Sequence, residues 1–269
     1  MGKILTIGLN TFREAIRNKI LYSLLFFALL VIVASLAFGA LSVHEEVRLT
    51  TDLGLAGISL FSIIIAIFVG VNLVYKELER KTIYSLIPKP VHRYQFVLGK
   101  YVGMMMTLAV LVTIMTLVLS VVLAIQGEAS FGPLMKMVVL IYFEVMVITA
   151  VAVLFSSYST PFLSGLFTIG IFMIGRNIPE IHTFAKRMEE DGSAINDLTA
   201  FTVRGFSHII PNLRFFFVTG SESGGAYISV HEVGFPDWSY VGTAGGYALL
   251  YVFLTLCLSI VLFSRRDFI

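Results

Sequence analysis

The sequence predicts an all-α integral membrane protein with six transmembrane helices. Three observations carry this. The 269 residues are 57% hydrophobic and only 13% charged, with a mean hydropathy of +0.90, which leaves far less polar surface than a soluble domain of this length needs. Uncharged apolar runs recur at the length that crosses a hydrocarbon core of about 30 Å, roughly 20 residues at about 1.5 Å each. Lysine and arginine gather in alternate connecting segments, as the positive-inside rule requires. The whole chain, 1–269, reads as one domain.

The N-terminal segment 1–19 is amphipathic. Leu5, Leu9, Phe12 and Ile16 fall on one helical face, and Asn10, Arg13, Glu14 and Arg17 on the other. That spacing fits a helix lying in the membrane interface. A cleaved secretory signal is the competing reading. The basic region is long and contains Glu14, and the following apolar run exceeds the roughly 7–15 residues of a signal core, so a retained first span is expected.

Four uncharged spans follow from the hydropathy: Ile20 to Leu41, Leu53 to Tyr75, Tyr101 to Ile125, and Val241 to Phe263. The stretch from Val145 to Gly175 has no charge and is too long for one ordinary span. Pro161 lacks an amide donor and moves Thr160 out of helical geometry, so the run divides into helices of about Leu134 to Ser156 and Pro161 to Asn177. The second is close to the minimum length. Trp238, Tyr240, Tyr247 and Tyr251 are spaced as an interfacial aromatic belt at the start of the last span.

Lys3, Arg13, Arg17 and Lys19, then Lys76, Arg80, Lys81, Lys89, Arg93 and Lys100, then Arg265 and Arg266 fall on one side. The short loops of the other side hold only Arg48 and Lys136. Both termini and the connector 76–100 are therefore expected in the cytoplasm, which requires an even number of spans. The loop 176–240 then faces outward, and long loops translocate largely regardless of charge. Within it "PEIHTFAKRMEE" reads as a helix, and the apolar stretch "LTAFTVRGFSHIIPNLRFFFV" is expected to re-enter the membrane or pack on the outer ends of the spans.

No enzymatic motif is present. Gly99-Lys100 lacks the upstream glycine and following hydroxyl of a phosphate loop, and neither H-E-x-x-H nor G-x-S-x-G occurs. His44, His92, His182, His208 and His231 lack ligand spacing, and the single Cys257 supports neither a disulfide nor a thiolate cluster, so no metal site is expected. Met104, Met105 and Met106 point in three directions on a helix and read as packing rather than soft-metal ligands. The net charge of +2 gives no basic surface for nucleic acid. Two intramembrane polar residues stand out. A carboxylate at Glu144 is costly in lipid and is a functional candidate, unless it reaches the interface or pairs through water with Lys136. Asn72 is positioned to bond across helices as structural glue. Gly165, Gly170 and Gly175 recur every five residues, not every four, and support a close-packed seam only weakly.

The connector "KELERKTIYSLIPKPVHRYQFVLGK" carries eight charged residues besides His92. Leu78, Ile83, Leu86 and Ile87 give it an apolar side, Pro88 and Pro90 end its first helix, and "VHRYQFVLGK" opens a second that runs into the third span. Orientation needs only its basic residues, and Glu77 and Glu79 contribute little to it. Mixed charge on bent helices suits docking to a protein.

The pattern E-x-E-x-K-T-I-x-x-L followed by K-P-V-x-R-x-x-F-V-L-G-K, here from Glu77 to Lys100, resembles the first cytoplasmic loop of ABC-2 type transporter permeases. "NTFREAIRNKILY" is similar to that family's elbow helix, and "IIPNLRFF" and "LFSRRDF" are similar to segments flanking its last span. The resemblance implies a permease subunit of an ATP-driven transporter in the cell inner membrane. It would pair with a second copy or a paralogue among membrane lipids and export its substrate. Separate ATPase subunits would hold ATP and Mg, and this chain would bind no cofactor and catalyse no reaction. The connector would be the coupling helix, with Glu77, Glu79, Arg80, Lys81 and Thr82 at or beside the ATPase contact, and Pro88, Pro90 and Arg93 holding the bend. Two other readings stay open: an ion-coupled carrier or channel using Glu144, and a membrane anchor or sensor whose outer loop binds a ligand.

Overall fold

The structure is a computed structural model that describes residues 2–41, 46–79, 92–127, 131–190, 205, 210–217, 221–223, 226–228 and 237–265. Its helices are α1 (Gly2–Ile16), α2 (Lys19–Ala40), α3 (Glu46–Glu79), α4 (Arg93–Ile125), α5 (Phe131–Tyr158), α6 (Pro161–Arg176), α7 (Ile178–Glu190) and α8 (Trp238–Arg265). Between α7 and α8 lie a 3-10 turn, Leu213–Phe215, and a short antiparallel hairpin that pairs Ser221–Ser223 with Ala226–Ile228. Neither the turn nor the hairpin was announced by the sequence.

Helices α3, α4 and α5 form the centre of an all-α bundle. Helix α2 packs on α3 and α4, α6 on α5 and α3, α8 on α5 and α4, and α1 along α4. The core holds Ile58, Ile65, Met104, Met115, Met137, Ile141 and Ile148, all fully buried. The outside is equally apolar, with Phe26, Phe27, Phe38, Phe162, Leu250 and Phe253 among its exposed residues. An apolar exterior over a hydrogen-bonded helical backbone is what lipid demands. Met104 and Met105 are buried in this core as packing side chains, and Tyr142 Oη donates to the Met105 carbonyl at 3.1 Å.

Local chemistry sets the ends. The Asn18 side chain accepts from Ile20 N at 3.1 Å and caps α2. At the far end of the α2–α3 hairpin, Gly39 lets Thr50 lie directly against the backbone, where any side chain would collide with its hydroxyl. Helix α3 begins at Glu46, well before the apolar run. Its polar first turns are stabilised by Thr50, whose hydroxyl donates to Glu46 O at 2.8 Å and accepts from Gln126 Nε2 at 3.0 Å. Thr160 is extended (φ −79°, ψ 159°) and Pro161 occupies the first turn of α6, so the charge-free run breaks where proline places the break.

Among the described residues, five helices are long and apolar enough to cross a membrane, and a sixth is added if α6 and α7 count as one broken unit bent by 68°. The expected span from Pro161 to Asn177 is thus a short helix of 16 residues, about 24 Å long. It stops because Asn177 leaves helical geometry (φ −106°, ψ 20°). The expected helix "PEIHTFAKRMEE" is α7, one residue longer at its start.

The segment 211–217 packs onto the bundle. Leu213 and Phe216 are fully buried, and the Pro211 carbonyl and Leu213 lie against Gly175. Two of the expected belt tyrosines hold it: Tyr247 Oη accepts from Asn212 N at 3.0 Å, and Tyr240 Oη donates to Phe215 O at 2.9 Å. Gly165 and Gly170 face open space, and of the three glycines only Gly175 makes a close contact.

Candidate functional site

Two places concentrate polar chemistry: the base of the connector and the centre of the bundle. At the first, α3 continues as helix through Glu77 to Glu79. Arg80, Lys81, Thr82, Pro88 and Pro90 lie outside the described residues. The chain returns at His92, the extended N-cap of α4, whose amide donates to Gln95 Oε1 at 3.3 Å. Gln95 thus satisfies one of the donors a helix start leaves open.

Arg93 turns away from the connector toward the end of α8. Its Nη1 donates to the Ser264 carbonyl at 2.8 Å and to the Phe263 carbonyl at 3.3 Å. One turn on, the Phe96 ring stacks on Phe263, with centroids 5.8 Å apart and planes 16° from parallel. The opposite flank of α4 meets α1. A Cβ at Gly99 would sit 2.7 Å from Ile7 Cβ, and one at Gly103 would strike the Gly8 carbonyl and lie 2.6 Å from Thr11 Cβ. The absent side chains let the two backbones touch. Gly99-x-x-x-Gly103 is the four-residue seam characteristic of close helix pairs. Sequence reading looked for it in α6 and overlooked it here, although the motif is explicit. Beside it Lys100 is only 2% exposed and pairs with Glu14 Oε2 at 3.5 Å.

This seam also reorients α1. The face that packs on α4 is Gly8, Thr11 and Ala15, while Leu5 and Leu9 remain exposed. The helix therefore has three faces rather than two: a small-residue face on protein, an apolar face outward, and a charged edge from which Glu14 reaches Lys100.

The second place is Glu144, fully buried at the middle of α5. Its Oε2 accepts from Ser59 Oγ at 3.0 Å, and Ser59 Oγ accepts from Arg176 Nη2 at 2.8 Å. Arg176 Nε lies 3.5 Å from Glu144 Oε1, and Nη2 lies 3.5 Å from Oε2. The guanidinium is covered by the Phe217 ring at 3.9 Å and flanked by Phe172 at 5.3 Å. Three helices and the 211–217 segment thus converge on one ion pair. Glu144 is fully enclosed by protein and its ion-pair partner is Arg176, while Lys136 lies 5.9 Å over the Trp238 ring. Arg176, expected in the outer loop, is the last residue of α6 and lies level with Glu144. Asn72 sits on α3 two turns before its end.

Among the described residues, no three His, Cys, Asp or Glu side chains come together as a metal site. Membrane-length helices, an apolar exterior and an ion pair buried between spans define a polytopic membrane protein. Residues 5–268 match the family described as ABC-2 family transporter protein, and the chain belongs to that family. It is a non-catalytic membrane transport protein of the ABC-2 permease type. No curated protein matches the chain.

Proposed function

We propose that this chain is the permease subunit of an ATP-driven exporter. It lines the pathway together with a second copy or a paralogue and is driven by separate ATPase subunits docked on the connector 76–100. The observation that carries the reading is the reach of the two helices bracketing the connector. Helices α3 and α4 have 34 and 33 residues, about 50 Å each, against a hydrocarbon core of about 30 Å. Both extend past the membrane as continuous helix, so a force applied at Glu77 or Glu79 acts on a rigid rod that continues between the other spans. The distribution of lysine and arginine places this end, with both termini, in the cytoplasm, and the family resemblance implies export. On this reading Arg80, Lys81 and Thr82 complete the ATPase contact, Pro88 and Pro90 set the bend, and Arg93 anchors its far side.

The test is co-purification in mild detergent with candidate ATPase subunits encoded beside this reading frame, followed by vanadate-sensitive ATP hydrolysis in nanodiscs. Stable recovery of the ATPase with stimulated hydrolysis is expected. Failure of every candidate to bind or respond overturns the reading.

A further inference from the structure

We infer that Arg93 is a positioning residue that ties the exit of the connector to the last helix, so that α8 follows motion imposed on α4. The inference rests on the coupling reading above and adds to it the element that receives the motion.

The last carbonyls of a helix lack intrahelical donors and carry the negative end of its dipole, so a cation set there is doubly favoured. In α8 two of them, Phe263 O and Ser264 O, accept from the same Arg93 nitrogen, and Arg93 is the first residue of α4. The stack of Phe96 on Phe263 adds a second, apolar tie within one turn, and Phe263 is only 2% exposed. On the other flank, Gly99, Lys100 and Gly103 fix α1 to the same stretch of α4. The first three turns of α4 are therefore gripped by the chain's N-terminal and C-terminal helices at once. Helix α3, which carries the other end of the connector, packs on α5, α4 and α2 and has no extensive packing on α8 among the described residues. A displacement of the connector reaches α8 directly through Arg93 and Phe96.

The molecule carries its own reporter. Cys257 is the single cysteine of the sequence, is exposed, and lies on α8 less than two turns before Phe263. The full chain, assembled with its ATPase subunits in nanodiscs and labelled at Cys257 with a bimane maleimide, is compared nucleotide-free and vanadate-trapped. The wild type is expected to show an emission shift on trapping. Arg93→Ala is expected to lose that shift while still co-purifying with the ATPase, and Arg93→Lys, which keeps a cation at the carbonyls, is expected to retain part of it. Phe96→Leu combined with Arg93→Gln gives a second route to the same loss if Arg93→Ala does not fold. An undiminished shift in a folded Arg93 variant overturns the inference. So does a wild type whose ATPase binds and hydrolyses ATP while the Cys257 label stays silent. If no ATPase binds the wild type, the coupling reading itself falls.

Discussion

Removing the carboxylate of Glu144 tests whether the mid-bundle ion pair holds the broken α6–α7 unit in place. Glu144→Ala leaves Arg176 between Ser59 Oγ and the Phe217 ring without its counter-charge. Breaking a buried pair from one side costs about 3–5 kcal/mol. Two features put this pair at the low end. Both N···O separations are 3.5 Å, longer than the roughly 2.7–2.9 Å of tight charge-assisted bonds, and the Arg176 side chain is 22% exposed, which gives it some solvation. The expected loss is about 3 kcal/mol. Glu144→Gln keeps an acceptor for Ser59 and should cost less, about 1–3 kcal/mol. The double variant Glu144→Gln with Arg176→Gln leaves no buried ion and should lie closer to wild type than Glu144→Ala, with a coupling energy of about 0.5–3 kcal/mol in the double-mutant cycle. Thermal unfolding followed by fluorescence-detected size exclusion, in one detergent throughout, ranks the wild type, these three variants and the single Arg176→Gln variant that closes the cycle. If Glu144→Ala unfolds with the wild type, or the cycle shows no coupling, the pair does not hold this region. A Glu144→Gln protein that is as stable as wild type yet transports nothing would instead assign the carboxylate to substrate or ion passage.

Gly103→Leu drives a side chain into the Gly8 carbonyl and Thr11. Overpacking of this kind costs about 1–3 kcal/mol, and α1 should separate from α4, read as faster proteolysis of the N-terminal segment in intact nanodiscs; unchanged protection would contradict the seam. Tyr247→Phe removes the acceptor for Asn212 N, with an expected cost of about 0.5–1.5 kcal/mol and faster amide exchange confined to 211–217; uniform exchange would show that the tyrosine does not hold that segment. Glu79→Lys should weaken association with the ATPase subunits without impairing membrane insertion, and a pull-down yield equal to wild type would remove Glu79 from the contact.

The spans were legible because lipid imposes a simple condition, that every exposed side chain be apolar over about 20 residues. Ile20 to Leu41 became Lys19–Ala40, and the third span lies within Arg93–Ile125. Pro161 fixed the break between α5 and α6 for a backbone reason that needs no tertiary contact. The end of α6 was legible too, since Pro161 to Asn177 became Pro161–Arg176; what composition could not give was the 68° bend that follows it and turns α7 away. Tertiary partners were hidden for a related reason: Arg93 meets backbone carbonyls at the far end of the chain, and a backbone carbonyl leaves no mark in a sequence.

The ion pair, by contrast, was legible and went unread. Glu144 and Arg176 are the two charges that bracket the uncharged run 145–175, and each lies sixteen residues from Thr160. A helical hairpin folded at Thr160 brings residues equally distant from its turn to the same level, here about 24 Å from it. A lone carboxylate at that depth is costly, and an arginine at the same depth on the adjacent helix is the cheapest remedy, because each charge cancels the other's desolvation. Ser59 then reaches the same level from α3 and shares its hydroxyl between them. Arg176 is the last residue of α6, the chain bends by 68° just beyond it, and Phe217 of the segment 211–217 covers the pair. Moving the arginine outward should expose the cost. The exchange Arg176→Thr with Thr183→Arg, which keeps composition and net charge and moves the cation about two turns further along, into α7, is expected to reproduce the instability of Glu144→Ala, and recovery of wild-type stability in that variant would show that depth does not govern the pairing.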